Sequence, residues 1–259
     1  MNRQVTIVAL LAVGAAATLL LGACANAPTL STERIAEILA SPDRRAADRT
    51  NDIRRKPHDM LAFIGLRPGM VALDLSAGGG YTTELIARSV GPSGRVYGQS
   101  RPRAPDSPAS APNSALALAE RAKNPAAGNI VAVVRRFEDP VPPEIAPNAL
   151  DLVTMMFNYH DLGSMGVDRA QMNRAVFAAL KPGGMYVIAD HSGRPGTGIS
   201  ESGTLHRVEE AFLRREVEAA GFRLAKEGNF LRNPNDPRDQ NTPNPPQPKD
   251  EFVLKFVKP

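Results

Sequence analysis

Apolar and polar positions switch between two periods along the 259-residue chain. A near-continuous apolar run from Val5 to Leu21 follows a short segment carrying Arg3. Residues 31–39 then place Ile35, Ile38 and Leu39 on one helical face, with Ser31 or Thr32 as the cap. Segment 42–56 alternates Asp with Arg and reads as a charged helix, its exposed face held by i,i+4 pairs. Pro57 opens a further helical turn that ends at Gly65. From Met70 the period shortens: 70–75 reads as an apolar strand, 76–80 as a turn of small residues, and 81–90 as a helix with Leu85, Ile86 and Val90 inward. The same pattern is consistent with strands at 94–99, 129–134, 149–157, 222–227 and 251–257 and helices at 114–123, 168–180 and 207–220. Strands alternating with helices imply an α/β fold with a doubly wound, mostly parallel sheet; the last two strands, joined without a helix, imply an antiparallel edge hairpin.

Composition narrows the partners. Hydrophobic residues at 42% suffice for one sizeable core. Lys+Arg 31 against Asp+Glu 27 gives a net +4, but the charges are interleaved, aromatic residues make up 5% and Trp is absent. Neither a basic tract nor a stacking platform for nucleic acid is present. Loops 101–113 and 232–250 are rich in Pro and polar residues and read as extended surface excursions, with a cover over the mouth of a ligand site as the alternative for either.

The first 23 residues read as a targeting segment. Leu21-Gly22-Ala23-Cys24 resembles the lipobox of bacterial lipoproteins. That resemblance implies cleavage before Cys24, acylation of Cys24, and a lipid anchor on the bacterial cell envelope; Ala25 points to the outer membrane, facing the periplasm. Cys24 is the only cysteine, so no intrachain disulfide competes for it. The alternative is an uncleaved membrane anchor, since the run is near the shortest that spans a bilayer. The expected organisation is a leader at 1–23, a lipidated cysteine, tether and helices at 24–56, and one catalytic domain at 57–259.

The informative stretch is Val71 to Tyr81, reading VALDLSAGGGY. Strand, glycine-rich turn and helix bring backbone N–H groups close to a ligand. Asp74 precedes Ser76, Ala77, Gly78 and Gly80, and this resembles the acid-x-Gly-x-Gly-x-Gly motif of class I S-adenosylmethionine-dependent methyltransferases, with Ser76 in place of the first glycine. A dinucleotide fingerprint carries its acid about 20 residues later, and a phosphate loop requires Gly-Lys-Ser/Thr, which is missing. Lys181-Pro182-Gly183-Gly184 through Asp190 resembles the entry to the fifth strand in the same superfamily, and the likeness covers roughly 57–257. More narrowly, Arg54-Arg55-Lys56-Pro57, Asn158-Tyr159-His160-Asp161 and Ala189-Asp190-His191 resemble exported bacterial methyltransferases distantly akin to the ubiquinone/menaquinone C-methyltransferases.

The resemblance implies a Rossmann-like class I methyltransferase fold and S-adenosylmethionine as cofactor. Asp74 would face the cofactor's ammonium and the small residues Ser76, Ala77, Gly78 and Gly80 its nucleoside. Gln99 stands where an acid usually takes the ribose hydroxyls, and can accept one hydrogen bond and donate another. Glu138 and Asp139 stand where a carboxylate often meets adenine, or are solvated loop acids. Asn158, His160 and Asp161 follow the fourth strand and Asp190 and His191 the fifth, at the ends where ligands bind. His160 or His191 would act as base on an acceptor, with Asp161 or Asp190 orienting it. His206 opens the next helix nearby. A His-Asp metal site is the rival reading, but no HxxxH or CxxC spacing supports it, and the sequence assigns no metal ligand. The acceptor is expected to be small or lipid-associated. A non-catalytic lipoprotein that holds an adenosyl or other small ligand in the same crevice is the reading from a different class.

Overall fold

The computed structural model describes residues 28–108, 110–241 and 248–259. The leader and Cys24 lie outside the described residues. Among those residues, no helix is long and apolar enough to cross a membrane.

Helix α1 (Thr32–Ala40) starts where Ser31 Oγ accepts from the Arg34 amide at 3.2 Å, and it buries Ile35 and Ile38. Helix α2 (Ala46–Arg55) is followed by α3 (Pro57–Ile64), which Pro57 opens and a left-handed Gly65 ends. The parallel unit follows in order: β1 (Val71–Leu75), α4 (Tyr81–Val90), β2 (Arg95–Ser100), α5 (Ser114–Arg121), β3 (Ile130–Val134) and β4 (Leu150–Met156). A short α6 (Asp161–Ser164), α7 (Arg169–Ala179), β5 (Leu180–His191), α8 (Glu210–Ala219), β6 (Arg223–Gly228) and β7 (Glu251–Val257) complete the chain.

The seven strands run in the order β3-β2-β1-β4-β5-β7-β6. The first five pair in parallel, and β7 pairs antiparallel with both β5 and β6. Chain direction across the sheet reverses between β1 and β4, so the crevice that ligands favour opens at the carboxyl ends of these two strands. The register sets Asp74 beside Thr154 there. One face of the sheet packs Ile35, Ile64, Ile86 and Val90 from α1, α3 and α4. The other packs Met172, Val176, Leu213 and Val217 from α7 and α8. The α/β class, the mostly parallel sheet and the antiparallel edge hairpin match the expectation.

Segment 42–56 does not. Its charges were expected to form a solvated face of i,i+4 pairs. Most of the segment is exposed, but Arg44 and Asp48 are buried, and its ion pairs join residues eight apart or reach α4 and α5 in place of an i,i+4 ladder. Arg121 of α5 binds Asp48 at 2.5 Å, pairs with Glu84 and donates from Nε to Gly79 O at 2.6 Å. Arg88 pairs with Glu84 at 2.7 Å and with Asp43 at 2.6 Å, and Arg44 binds Asp52 at 2.8 Å. Burial leaves each of these cations dependent on its carboxylates. Loop 232–250, read as a free excursion, is also tied down in its described part. Arg207, fully buried, binds Asp236 at 2.9 Å and donates to the carbonyls of Ser192 and Gln240.

Candidate functional site

β1 delivers Asp74 into the crevice as a buried carboxylate. Thr83 Oγ1 donates to its Oδ2 at 2.6 Å and Thr154 Oγ1 to its Oδ1 at 2.7 Å. Burial lifts this carboxyl from 3.8 to about 6, against the pull of the two hydroxyls and of Arg55. Each carboxylate oxygen keeps lone-pair capacity for a further donor.

After Asp74 the backbone turns through left-handed positions at Ser76, Gly78 and Gly80, with φ of 53°, 55° and 82°. Gly80 is required twice over, since a Cβ there would also stand 2.6 Å from Leu118 Cδ1. Ser76 carries a side chain in a conformation glycine adopts more easily, and its amide is held by Gln99 Oε1 at 2.9 Å. That bond redirects the role expected of Gln99. Its Nε2 donates to Arg135 O at 2.6 Å, so both ends of the amide are taken by backbone and the fully buried side chain braces the turn. The next residue, Ser100, has a buried Oγ with no hydrogen-bond partner.

Two cavities flank this turn and share Ser76, Gly78 and Asn158. The smaller, about 240 Å³, is lined by Asp74 together with Asp48, Asn51, Arg55 and Tyr81. Arg55 is the cation that faces Asp74 across this space. Its guanidinium stacks 4.8 Å above the Phe157 ring and 5.1 Å from the Tyr81 ring, and its buried Nε has no partner. Burial and the neighbouring Arg54 charge lower its pKa. The larger cavity, about 470 Å³, is lined by Ser100, Phe137, Asp161 and Met165, and by Arg101 and Arg103 of loop 101–113. That loop, expected as an excursion over the surface, forms one wall of the cavity. Glu138 and Asp139 do not line it: Asp139 is exposed and pairs with Arg135, while Glu138 lies 3.4 Å from Arg136. Phe137, the residue before them, does.

The ends of β4 and β5 bring the expected imidazoles and carboxylates together. Asp190, fully buried, accepts from the His160 amide at 2.8 Å through Oδ2 and lies 2.6 Å from His160 Nδ1 through Oδ1. The other ring nitrogen, Nε2, is 3.1 Å from Asp161 Oδ1. Burial alone would depress the imidazolium, but the Asp190 charge and the bonds to Asp161 and Asp190 raise it to about 9. Asp161 resists its own burial because His160 and His206 hold it well below the usual carboxylate range. His206 Nδ1 reaches the same Oδ1 at 2.8 Å, and Asn158 Nδ2 donates to Oδ2 at 3.2 Å. His160, Asp161 and His206 thus form one cluster, the convergence that the rival metal reading required and that no short sequence spacing supported. His191 stands apart from this cluster and from both cavities. Its ring is 5.2 Å from that of His160, and Nδ1 lies 3.0 Å from Glu251 without a hydrogen-bonding alignment. Burial lowers its pKa.

Arg55, Ser100, Phe137 and Arg121 are site residues that sequence reasoning did not select. Arg55 lay within a quoted stretch, Arg54-Arg55-Lys56-Pro57, whose helix looked solvated. The others carry no spacing signal.

No protein-family model matches the sequence. Solved structures do resemble the fold. An S-adenosylmethionine-dependent methyltransferase from Aquifex aeolicus superposes with a TM-score of 0.60 at 18% identity, covering 89% of this chain and 100% of that one. A chain of the complex formed with the Haloferax volcanii Trm112 methyltransferase activator gives 0.58 at 18% identity, covering 83% and 93%. The [4+2]-cyclase SpnF gives 0.57 at 16% identity, covering 79% and 82%. With its strand order, its glycine turn and the crevice between β1 and β4, the chain has the fold of the class I S-adenosylmethionine-dependent methyltransferases.

Proposed function

We propose that the chain is an S-adenosylmethionine-dependent methyltransferase, lipid-anchored to the bacterial cell envelope through Cys24, that acts on a small or lipid-associated acceptor. The observation that carries this reading is the opposed pair Asp74 and Arg55 in one cavity beside the glycine turn, Arg55 having an unpartnered buried Nε. The amino-acid end of the cofactor presents an ammonium and a carboxylate, and these two side chains meet them with opposite charge. The Ser100 hydroxyl, buried and unpartnered, suits a ribose hydroxyl, and Phe137 gives an apolar wall for the base. The residues therefore fit the group.

When bound, the cofactor supplies a methyl group on an electrophilic sulfonium. The chain's task is to hold an acceptor atom in line with it, at about 3 Å. Asn158 and Asp161, which line the larger cavity at the end of β4, are the groups placed to orient that acceptor. Asp161 is too weak a base to remove a proton, and it works as a hydrogen-bond acceptor. His160 stays protonated at neutral pH and positions Asp161; His191 supports Phe157, its ring 5.7 Å away, and Arg54 and Arg55 cover that same Phe157 ring. The acceptor's reacting atom is then one that carries its lone pair without help from an imidazole base.

Isothermal titration of the purified chain with S-adenosylmethionine and S-adenosylhomocysteine tests the reading. Binding is expected for both, lost in Asp74→Ala, and kept in Asp161→Asn. Absence of binding by either at millimolar concentration overturns it. Release of S-adenosylhomocysteine on adding a lipid extract or a small-molecule extract then identifies the acceptor class. The engagement of both ends of Gln99 favours one other reading, a non-catalytic lipoprotein that binds an adenosyl ligand, for which titration shows binding and no extract yields product.

A further inference from the structure

The cluster at the ends of β4 and β5 contains more than positioning groups. His160, Asp161 and His206 come from two consecutive residues and from a third 45 residues later, and one donor atom from each lies within 4.8 Å of the other two. Asp161 Oδ1 is 3.1 Å from the first imidazole and 2.8 Å from the second. Ligand atoms around a four-coordinate ion with bonds near 2 Å stand roughly 3.3 Å apart, so modest rotation of the half-exposed His206 suffices to close the set.

We propose that His160, Asp161 and His206 form a binding site for a first-row divalent cation, Zn²⁺ or Fe²⁺, at the edge of the 470 Å³ cavity. Three observations support it. The buried His160 and the half-buried Asp161 have partners of the kind that orient metal ligands: Asp190 holds His160 Nδ1 at 2.6 Å, which turns Nε2 towards the cluster, and Asn158 holds the second oxygen of Asp161. Charge points the same way. Asp161 and Asp190 bring two carboxylates to one buried imidazole; a divalent ion binding at Nε2 displaces the proton that His160 carries in the ion-free chain and takes over the balance of those two charges. Finally, the donor set of two imidazoles and one carboxylate suits zinc and iron, whereas Mg²⁺ and Ca²⁺ prefer oxygen ligands. Asp161 also lines the cavity, so the remaining coordination positions open towards a bound molecule.

The site does not depend on methyl transfer and is tested without cofactor. The full chain, free of any affinity tag and stripped with chelator, is titrated with ZnCl₂ by calorimetry and with CoCl₂ by visible absorption. The expected result is one ion per chain with the absorption of a low-coordinate cobalt site. His206→Ala, at a half-exposed position, and Asp161→Asn should weaken binding by more than about 100-fold, and Asp190→Asn by about 10- to 100-fold, as loss of a partner behind a ligand does. His58→Ala, on the surface of α3, should leave it unchanged. The absence of stoichiometric binding, or binding that His206→Ala and Asp161→Asn leave intact, overturns the proposal. Since Asp74 and Arg55 are not in the donor set, a failure here leaves the titration with S-adenosylmethionine as it was, and the reverse also holds.

Discussion

Replacing Asp74 by Asn separates what the crevice does for ligand from what it does to stability. The carboxylate is buried, and burial raises its value from 3.8 to about 6. At about 1.36 kcal/mol per pH unit, holding the charge in the folded chain at neutral pH costs about 3 kcal/mol. The folded value lies above the unfolded one, so the folded state binds the proton more tightly. Stability is therefore undiminished below about pH 4, falls as pH rises towards 6, and stays reduced above that. Asn has the same shape, and its oxygen and NH₂ can serve Thr83 and Thr154 as acceptor and donor. Asp74→Asn should thus match the wild type near pH 4 and exceed it by up to about 3 kcal/mol at pH 7 to 8, while losing affinity for S-adenosylmethionine. Urea unfolding followed by circular dichroism at several pH values measures the difference, and taking the difference cancels the other titrating groups. A gap independent of pH, or a variant less stable at pH 8, would refute the reasoning.

Three further outcomes follow from neighbouring residues. Affinity for S-adenosylmethionine should rise with pH up to about 6, approaching tenfold per unit, because a cationic ammonium selects the ionised form of Asp74; calorimetry across pH 5 to 8 checks this. Arg121→Met strands the buried carboxylates of Asp48 and Glu84 and removes the bond to Gly79 O, so a loss of about 3 to 5 kcal/mol is expected in chemical denaturation. Ser100→Ala removes a hydroxyl with no partner in the free chain, which should leave the melting temperature unchanged and weaken cofactor binding by about 3- to 10-fold.

The two periods of hydrophobicity sufficed for the α/β class and for the antiparallel β6–β7 edge, because strand and helix each bury one repeating set of side chains, while β5 was read from the Lys181-Pro182-Gly183-Gly184 turn that opens it. The acid two residues before Ser76 located the turn, since the chemistry of that turn is local. Gln99 shows where this ends. Its place at the end of β2 was legible, but its rotamer is decided by Ser76 N and Arg135 O, which are 23 and 36 residues away.

Charges were the least legible feature. Asp48 and Asp52 looked like half of an i,i+4 ladder, yet their partners are Arg121 on α5 and Arg44 at the base of α2. The alternation of Asp and Arg is the same for a helix in solvent and for one laid across a cavity, and only packing distinguishes them. Arg55 was hidden for that reason. His206 was placed near the site from the sequence, but its contact with Asp161 was not legible, as β5 and the segment after it must fold back before its ring can reach that carboxylate. The sequence by itself determined the order of strands and helices and the glycine turn with its acid, since these depend on neighbours within about one helical turn or one strand pleat. Tertiary structure alone decided which charges are buried, which amides brace the turn, and which imidazoles meet, because each depends on a contact between residues far apart in the chain.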